Sequence, residues 1–566
     1  MNQSQDYPDG VPISIKYPEM PLYEFWANST RKFPDRDALI YLGARYSYSE
    51  LWEQIQSLAR HLKSLGIEKG DRVGLILPNC PQFIIAYYSV ILVGATVVAV
   101  NPLMTVGEIE RQVNSTECKI LIILDRLLDR LPEKYPELIV ARGAYFAPPL
   151  LRLLGFLRHR KKDIPKGAIL FEDLTRGPKL AEPAGIDPKD DVAMIMFTSG
   201  TTGQPKGVML SHYALMANAL QSYYWLRGWG YSSKPQSDGY PIILCAMPFF
   251  HSYGLVVLNE AVSFGCTMVL VPKPTAVSIL EAIQKYKITH APLIPRMIKE
   301  MLLHPDIEDY DLSSLTTASS GGAPIQEEDM KKLEELANVR LYQGYGLTEA
   351  GPSVSASTVL GAPNYLSVGL PYPDTEVKIM DLQIGEVEMP PGEIGEVVVK
   401  GPQLMKGYWK DPDTTTELIK DGWLHTGDTG YLDENGHLYI VGRNSEGILA
   451  RGHRVWPTEV EEVLNSHPKV EKSVAFGVPD PLRCSTDIRA GVKLVEGIEP
   501  SPNVEEELLS FCYDELEEYQ VPAKISFWED IPTTPMGKID RAQILEKIDE
   551  KINELMQESK IPQEYL

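Results

Sequence analysis

With 566 residues the chain exceeds the roughly 250–300 that one hydrophobic core supports, so at least two domains are expected. Hydrophobic and charged contents of 44% and 23% are those of an ordinary globular protein. A formal charge of −23 argues against a nucleic-acid backbone as main partner, which would need a clustered basic face. An acidic chain that holds phosphates must do so with local devices.

In chain order, the opening MNQSQDYPDG has neither the basic nor the apolar region of a signal peptide. Between Arg72 and Glu108 no charge occurs, and FIIAYYSVILVGATVVAV is long enough to span a bilayer. Gly94 nevertheless splits that run into a helical piece, Phe83–Val93, and a β-branched piece, Thr96–Val100, before Asn101-Pro102. A buried helix followed by a parallel strand reads this way. Further strand-like runs (CKILIIL, PIILCAMP, TMVLVP, THAPLIP) alternate with amphipathic helical ones such as SILEAIQKYKI, the pattern of βαβ units. From about Thr375 the texture changes to short strands with tight turns, GEVVVKGP and DENGHLYIVGR. After Arg443 come a basic stretch, RNSEGILARGHR, and a compact α+β segment, which puts the main boundary at 443–446. The expected fold is α/β: a large domain over 1–442, with mostly parallel sheets, flanking helices and a β-rich subdomain, then a small α+β domain over 443–566. The six cysteines are scattered, with no CxxC and no histidine cluster at metal spacing, which reads as reduced thiols in a cytosolic protein.

The chemistry concentrates in FTSGTTGQPKG, Phe197–Gly207, after the strand-like DVAMIM and before Ser211, which is competent to cap a helix. A glycine-rich loop leaving a strand turns backbone N–H groups toward an anion. Thr198, Ser199, Thr201 and Thr202 add hydroxyls, and Lys206 adds a point charge. It is not a Walker A loop: Pro205 stands where glycine is required, and Gly207 where Ser or Thr should follow the lysine. A flexible surface loop is the competing reading of this composition alone. PFFH (248–251), SSGGAP (319–324), YGLTE (345–349), TGD (426–428), GR (442–443) and TPMGKIDR (534–541) follow in order.

This ordered set resembles the adenylate-forming superfamily of acyl-CoA synthetases, luciferases and peptide-synthetase adenylation domains, over essentially the whole chain. The resemblance implies ATP, Mg²⁺ and coenzyme A as cofactors. A carboxylate at neutral pH is a poor electrophile; joining it to AMP supplies a leaving group, and the charge gathering at the α-phosphate must be met by fixed donors and cations. By resemblance, Thr198, Ser199, Gly200, Thr201, Thr202, Gly203 and Lys206 hold the outer phosphates, and Glu349 with Thr198 ligates Mg²⁺. Thr348 meets the α-phosphate, while Tyr345, between Gly344 and Gly346, stacks on adenine beside Gly321, Gly322, Ala323 and Pro324. Asp428 binds the ribose with Arg443 beside it. Lys538 neutralises charge as the acyl-adenylate forms, and His251 orients the incoming carboxylate. Taken singly, Glu349 reads equally as a helix N-terminal acid and Lys538 as a solvated surface lysine.

Thioester-forming relatives then swing the C-terminal domain so that a glycine loop meets the acyl-adenylate. The matching segment is ARGHRVWPTEVEEVL, with Gly452 beside the pantetheine arm and Arg454 toward the nucleotide end of CoA. The hinge position, usually Asp or Lys in the family, is Ser445 here. The segment YFAPPLLRLLGFLRHRKKDIPK, 145–166, resembles an insertion of long-chain fatty acyl-CoA synthetases. Its apolar then basic order fits peripheral contact of residues 145–162 with an anionic membrane, or equally a helix packed on the N-terminal domain with a solvated basic end. The expected activity is therefore a fatty acid–CoA ligase for medium to long chains, cytoplasmic or peripheral at the inner membrane surface, with a homodimer held as a further expectation. The alternatives are an aromatic acid as substrate, or an enzyme that stops at the adenylate. An ester hydrolase would want a GxSxG elbow, which the chain lacks.

Overall fold

The computed structural model describes residues 7–158, 164–198, 205–228, 240–358, 363–382, 385, 387–450, 453–480, 485–534, 539–541 and 543–544. It divides into two compact units. The first comprises Met1–Val377, Val399–Leu424 and Asn435–His437; the second comprises Lys378–Val398, His425–Glu434 and Leu438–Leu566. The short-stranded region after Thr375 is thus divided between the two units, with Lys378–Val398 and His425–Glu434 grouped with the C-terminal segment and Val399–Leu424 with the first unit.

Two large sheets build the first unit. One runs Gly407–Tyr408, Gly207–Ser211, Val192–Phe197, Thr96–Ala99, Arg72–Ile76, Ile120–Leu124, Glu137–Ala141, Ile169–Leu170. Its pairs are parallel from Val192–Phe197 onward, and the hairpin Val192–Phe197 with Gly207–Ser211 is antiparallel. The charge-free run becomes the wholly buried helix Pro81–Leu92 and the strand Thr96–Ala99. Gly94 takes φ +76° at the turn between them, a conformation side chains avoid. Among the described residues no helix is long and apolar enough to cross a membrane. Interior placement explains the missing charges: both faces of a covered parallel sheet and its packed helix are dry.

The other sheet has nine strands and carries the motifs. Its order is Leu370–Pro371, Ser353–Ala356, Arg340–Gly346, Thr317–Gly321, His290–Leu293, Ile242–Cys245, Thr267–Leu270, Asp37–Tyr41, Ala44–Ser47. Helices start where the sequence marks them: Ser211 Oγ accepts from the Ala214 N–H at 3.0 Å, capping His212–Gly228. His251 Nδ1 accepts from the Tyr253 N–H at 3.3 Å at the head of Ser252–Phe264. Helix Ser252–Phe264 is buried along nearly its whole length, which fits its apolar sequence SYGLVVLNEAVSF.

The strands Glu376–Met380, Gly395–Lys400 and Trp423–Leu432, most of whose residues belong to the second unit, lie side by side, and Leu438–Arg443 pairs antiparallel with the last across the Glu434-Asn435-Gly436 turn. Beyond it, Val470–Asp480, Ser485–Leu494 and Lys524–Phe527 form a three-stranded sheet backed by helices Pro457–Ser466 and Pro502–Glu515. A core including Val460, Leu464, Val492 and Leu508 fills the space between. Five cysteines are free and buried; Cys484 lies outside the described residues.

Candidate nucleotide and acyl site

The glycine-rich segment predicted to hold phosphates is fixed at its neck. Phe197 and Gly207 pair across the antiparallel hairpin, and the Thr198 N–H donates to the Lys206 carbonyl at 3.0 Å. Ser199, Gly200, Thr201, Thr202 and Gly203 lie outside the described residues. Lys206 projects from the neck: its Nζ donates to Thr414 Oγ1 at 3.1 Å, stands 3.6 Å from Asp411 Oδ2, and lies 5.3 Å from the centre of the Tyr408 ring. The Tyr408 hydroxyl in turn donates to Glu349 Oε1 at 2.8 Å. One tyrosine therefore touches both the loop lysine and the carboxylate assigned to the metal.

Nothing local in the sequence announced Tyr408, because 202 positions separate it from Lys206. The strand Gly407–Tyr408 brings it there by pairing with Gly207–Ser211, Tyr408 opposite Val208, and the Trp409 N–H donates to the Gly207 carbonyl at 2.7 Å. The next turn was legible: Asp411-Pro412 is a cap followed by a first-turn proline, and Asp411 accepts from the Thr414 N–H at 3.2 Å. The Thr414 hydroxyl and N–H, with the Lys206 ammonium, hold the Asp411 carboxyl below its ordinary value.

At the adjoining edge of the nine-stranded sheet, SSGGAP and YGLTE meet. Gly321 and Gly344 are register partners, which leaves a shelf without side chains at that point. Gly322, Ala323 and Pro324 leave the first strand; Tyr345 and Gly346 end the second. A Cβ on Gly346 would stand 2.1 Å from the Pro352 carbonyl oxygen, so only glycine permits this return of the chain. Thr348 Oγ1 donates to Ser252 Oγ at 3.3 Å, linking YGLTE to the helix that follows His251. Glu349 sits in the short 3₁₀ turn Thr348–Ala350, half-buried, and its carbonyl accepts from the Met405 N–H at 2.9 Å. It is therefore not the first-turn acid of an α-helix. Tyr253 packs beneath the shelf: a Cβ on Gly321 would stand 3.4 Å from its ring, and its hydroxyl is 3.1 Å from Ser319 Oγ.

Glu349 and Thr198 make a sparse donor set. Among the described residues no group of three or more His, Cys, Asp or Glu is arranged to hold a metal ion. A small hard cation completed by substrate phosphates suits a lone carboxylate and a hydroxyl; a cation needing an all-protein cage does not. The residues present fit Mg²⁺ in that sense.

The second unit holds the remaining predicted groups. Asp428 and Arg443 are register partners in the hairpin, with Arg443 Nε 3.2 Å from Asp428 Oδ1. Asp428 is buried, and its N–H donates to Thr426 Oγ1 at 3.1 Å. Lys538 and Gly452 lie outside the described residues, as does the side chain of Arg454. The neck before Lys538 is described: Thr533 pairs with Ile539, and the Asp540 N–H donates to the Pro532 carbonyl at 2.9 Å. Arg541 was passed over in the sequence; it bridges Glu446 at 3.0 Å, one residue past the hinge position, and the buried Glu461 at 3.0 Å.

The chain belongs to the AMP-binding enzyme family, whose model matches residues 26–409, with the AMP-binding enzyme C-terminal domain over 459–538. It is 36% identical over 555 residues to a long-chain-fatty-acid–CoA ligase of Bacillus subtilis, covering 96% of this chain and 97% of that protein. It is 31% identical to a 4-coumarate–CoA ligase of Humulus lupulus, covering 97% and 98%. Among solved structures, an ATP-bound RpMatB-BxBclM chimera matches at TM-score 0.78 and 26% identity, covering 94% and 99%. The fold is also that of the anthranilate CoA ligase AuaEII bound to anthranoyl-AMP, at TM-score 0.81 and 23% identity over 94% and 98%.

Proposed function

We propose that this protein activates a medium- to long-chain fatty acid with ATP and passes the acyl group to coenzyme A. In the first step a carboxylate oxygen of the acid bonds to the α-phosphorus of ATP, and pyrophosphate leaves. In the second the CoA sulfur, its proton lost, bonds to the acyl carbon and AMP leaves. The observation that carries this reading is the line Lys206–Tyr408–Glu349, a cation and an anion fixed on one tyrosine at the neck of the phosphate loop. The end-to-end likeness to long-chain-fatty-acid–CoA ligases supports the choice of acid.

Lys206 and the loop hydroxyls bind the outer phosphates; Thr348 donates to the α-phosphate, where charge grows in the transition state. Glu349 and Thr198 would hold Mg²⁺, which supplies charge neutralisation at the phosphates when bound. Asp428 takes the ribose hydroxyls and His251 orients the acid. Residues 443–566 move as one domain about Ser445, bringing Lys538 for adenylation and Gly452 with Arg454 for thioester formation. Membrane contact through 145–162 draws support from Leu150, Leu151 and Leu153 on helix Pro149–Arg158, which are 69%, 47% and 57% exposed.

An aromatic acid is the second reading, favoured by the Tyr253 ring packed against Gly321 of the glycine shelf and by the coumarate-ligase relative. Pyrophosphate release across fatty and aromatic acids, with and without CoA, tests the assignment. Turnover confined to aromatic acids, or no thioester by mass, would overturn it.

A further inference from the structure

Helix Ser252–Phe264 is apolar apart from its ends, Asn259 and Glu260. Asn259 is satisfied, its amide paired with Tyr88 at 3.1 Å and Tyr87 at 3.3 Å. Glu260 is not. It is 6% exposed, and its Oε1 is buried with no hydrogen-bond partner. Burial alone lifts its carboxyl to about 8, with no neighbouring cation in the balance. An unpaired carboxyl in a dry layer is costly, and native structures rarely leave one without a role.

Its position gives that role a direction. Glu260 stands seven residues, two helical turns, after Tyr253, so both lie on one face of the helix. That face is turned to the sheet: Tyr253 reaches Ser319 and packs on Gly321. Tyr342, the register partner of Ser319, stacks on His290 with ring centres 6.2 Å apart. Tyr253, Tyr342 and Tyr372 all feel the Glu260 charge, as do Cys245 and Cys266. The layer between this helix and the glycine shelf is thus lined by aromatic rings, with one unmatched acid at its far end.

We propose that Glu260 is a specificity residue that hydrogen-bonds a polar substituent, a hydroxyl or oxo group, on the distal part of the acyl chain. The inference rests on the fatty-acid reading above, with the carboxylate held near His251. From His251 to Glu260 is nine residues, about 13 Å along the helix, roughly the reach of a ten- or eleven-carbon chain. A neutral carboxyl there both donates and accepts, and a site with a buried polar group discriminates against a ligand that leaves it unpaired.

The test compares dodecanoic acid with its 10-, 11- and 12-hydroxy derivatives on the full-length protein, by kcat/KM for pyrophosphate release. At least one hydroxy acid is expected to be favoured about tenfold or more over the parent acid. Glu260→Leu should abolish or reverse that preference while raising activity on the parent acid, and Glu260→Gln should retain part of it. A thermal-shift measurement with each acid and a non-hydrolysable ATP analogue gives the same ranking without turnover. Preference for dodecanoic acid in the unaltered protein, or a ratio unmoved by Glu260→Leu, would overturn the subsite and leave the fatty-acid assignment standing. Turnover of none of the four acids would remove that assignment and the subsite with it.

Discussion

Replacing Tyr408 with phenylalanine deletes one hydroxyl and keeps the ring beneath Lys206. The lost contact is the 2.8 Å donation to Glu349 Oε1, a hydrogen bond to a carboxylate. Bonds of that kind contribute about 1.5–3 kcal/mol. Partners that orient a metal-binding carboxylate typically change metal affinity by about 10–100-fold, which is about 1.4–2.8 kcal/mol, the same scale. Tyr408→Phe should therefore raise the Mg²⁺ concentration for half-maximal adenylation by about that factor, with kcat recovered at saturating Mg²⁺. The KM for ATP at saturating Mg²⁺ should move little, because Lys206 keeps its ring neighbour and its bonds to Asp411 and Thr414. Mn²⁺ binding in the complex with a non-hydrolysable ATP analogue, followed by paramagnetic resonance, gives a readout independent of turnover. An unchanged Mg²⁺ half-point and unchanged Mn²⁺ affinity would refute the positioning role of Tyr408.

Ser445→Pro, in the 3₁₀ turn Asn444–Glu446, should leave acyl-adenylate formation measurable and suppress thioester formation; equal loss of both half-reactions speaks against a hinge there. Arg541→Leu strands the buried Glu461 and should destabilise the second unit by about 3–5 kcal/mol, while the double variant with Glu461→Leu recovers most of that loss in thermal melts. Glu260, held at about 8 against an ordinary 4.5, keeps a proton that the unfolded chain has released. Its contribution to stability is therefore full below pH 4.5 and lost as pH rises to about 8, at up to about 1.4 kcal/mol per pH unit. Tyr253, Tyr342, Tyr372, Cys245 and Cys266 around it are all pushed up by burial and stay neutral across that window. Glu260→Gln should flatten the fall in melting temperature between pH 5 and 8; an identical slope in both proteins contradicts the buried, unpaired state.

Local signals carried the frame. The alternation of RVGLILP, CKILIIL and THAPLIP places parallel strands because covered strands need apolar residues on both faces. Gly94 splits the charge-free run because the chain needs a left-handed turn there, and Ser211 caps its helix as its position implies. Motif order located Glu349, Asp428 and the glycine shelf, and the pairing of Gly321 with Gly344 follows from two strands ending together. What stayed hidden is the long-range part. Tyr408, Thr414 and Asp411 reach Lys206 only through a two-residue strand added at a sheet edge, and so short a strand leaves no periodicity to read. Glu260 reads as one acid in a helix until its surroundings are known, and Arg541 until Glu446 and Glu461 are found beside it.

Adenylation as proposed needs Lys538 and the neck of the glycine-rich loop to act on one ATP beside an acyl acid. Exchange of labelled pyrophosphate into ATP, driven by dodecanoic acid without CoA, measures that step alone. Exchange should depend on the acid and fall by about 100-fold or more in Lys538→Ala, with thioester formation from supplied acyl-adenylate retained. Exchange at full rate in that variant, or exchange indifferent to the acid, would contradict it.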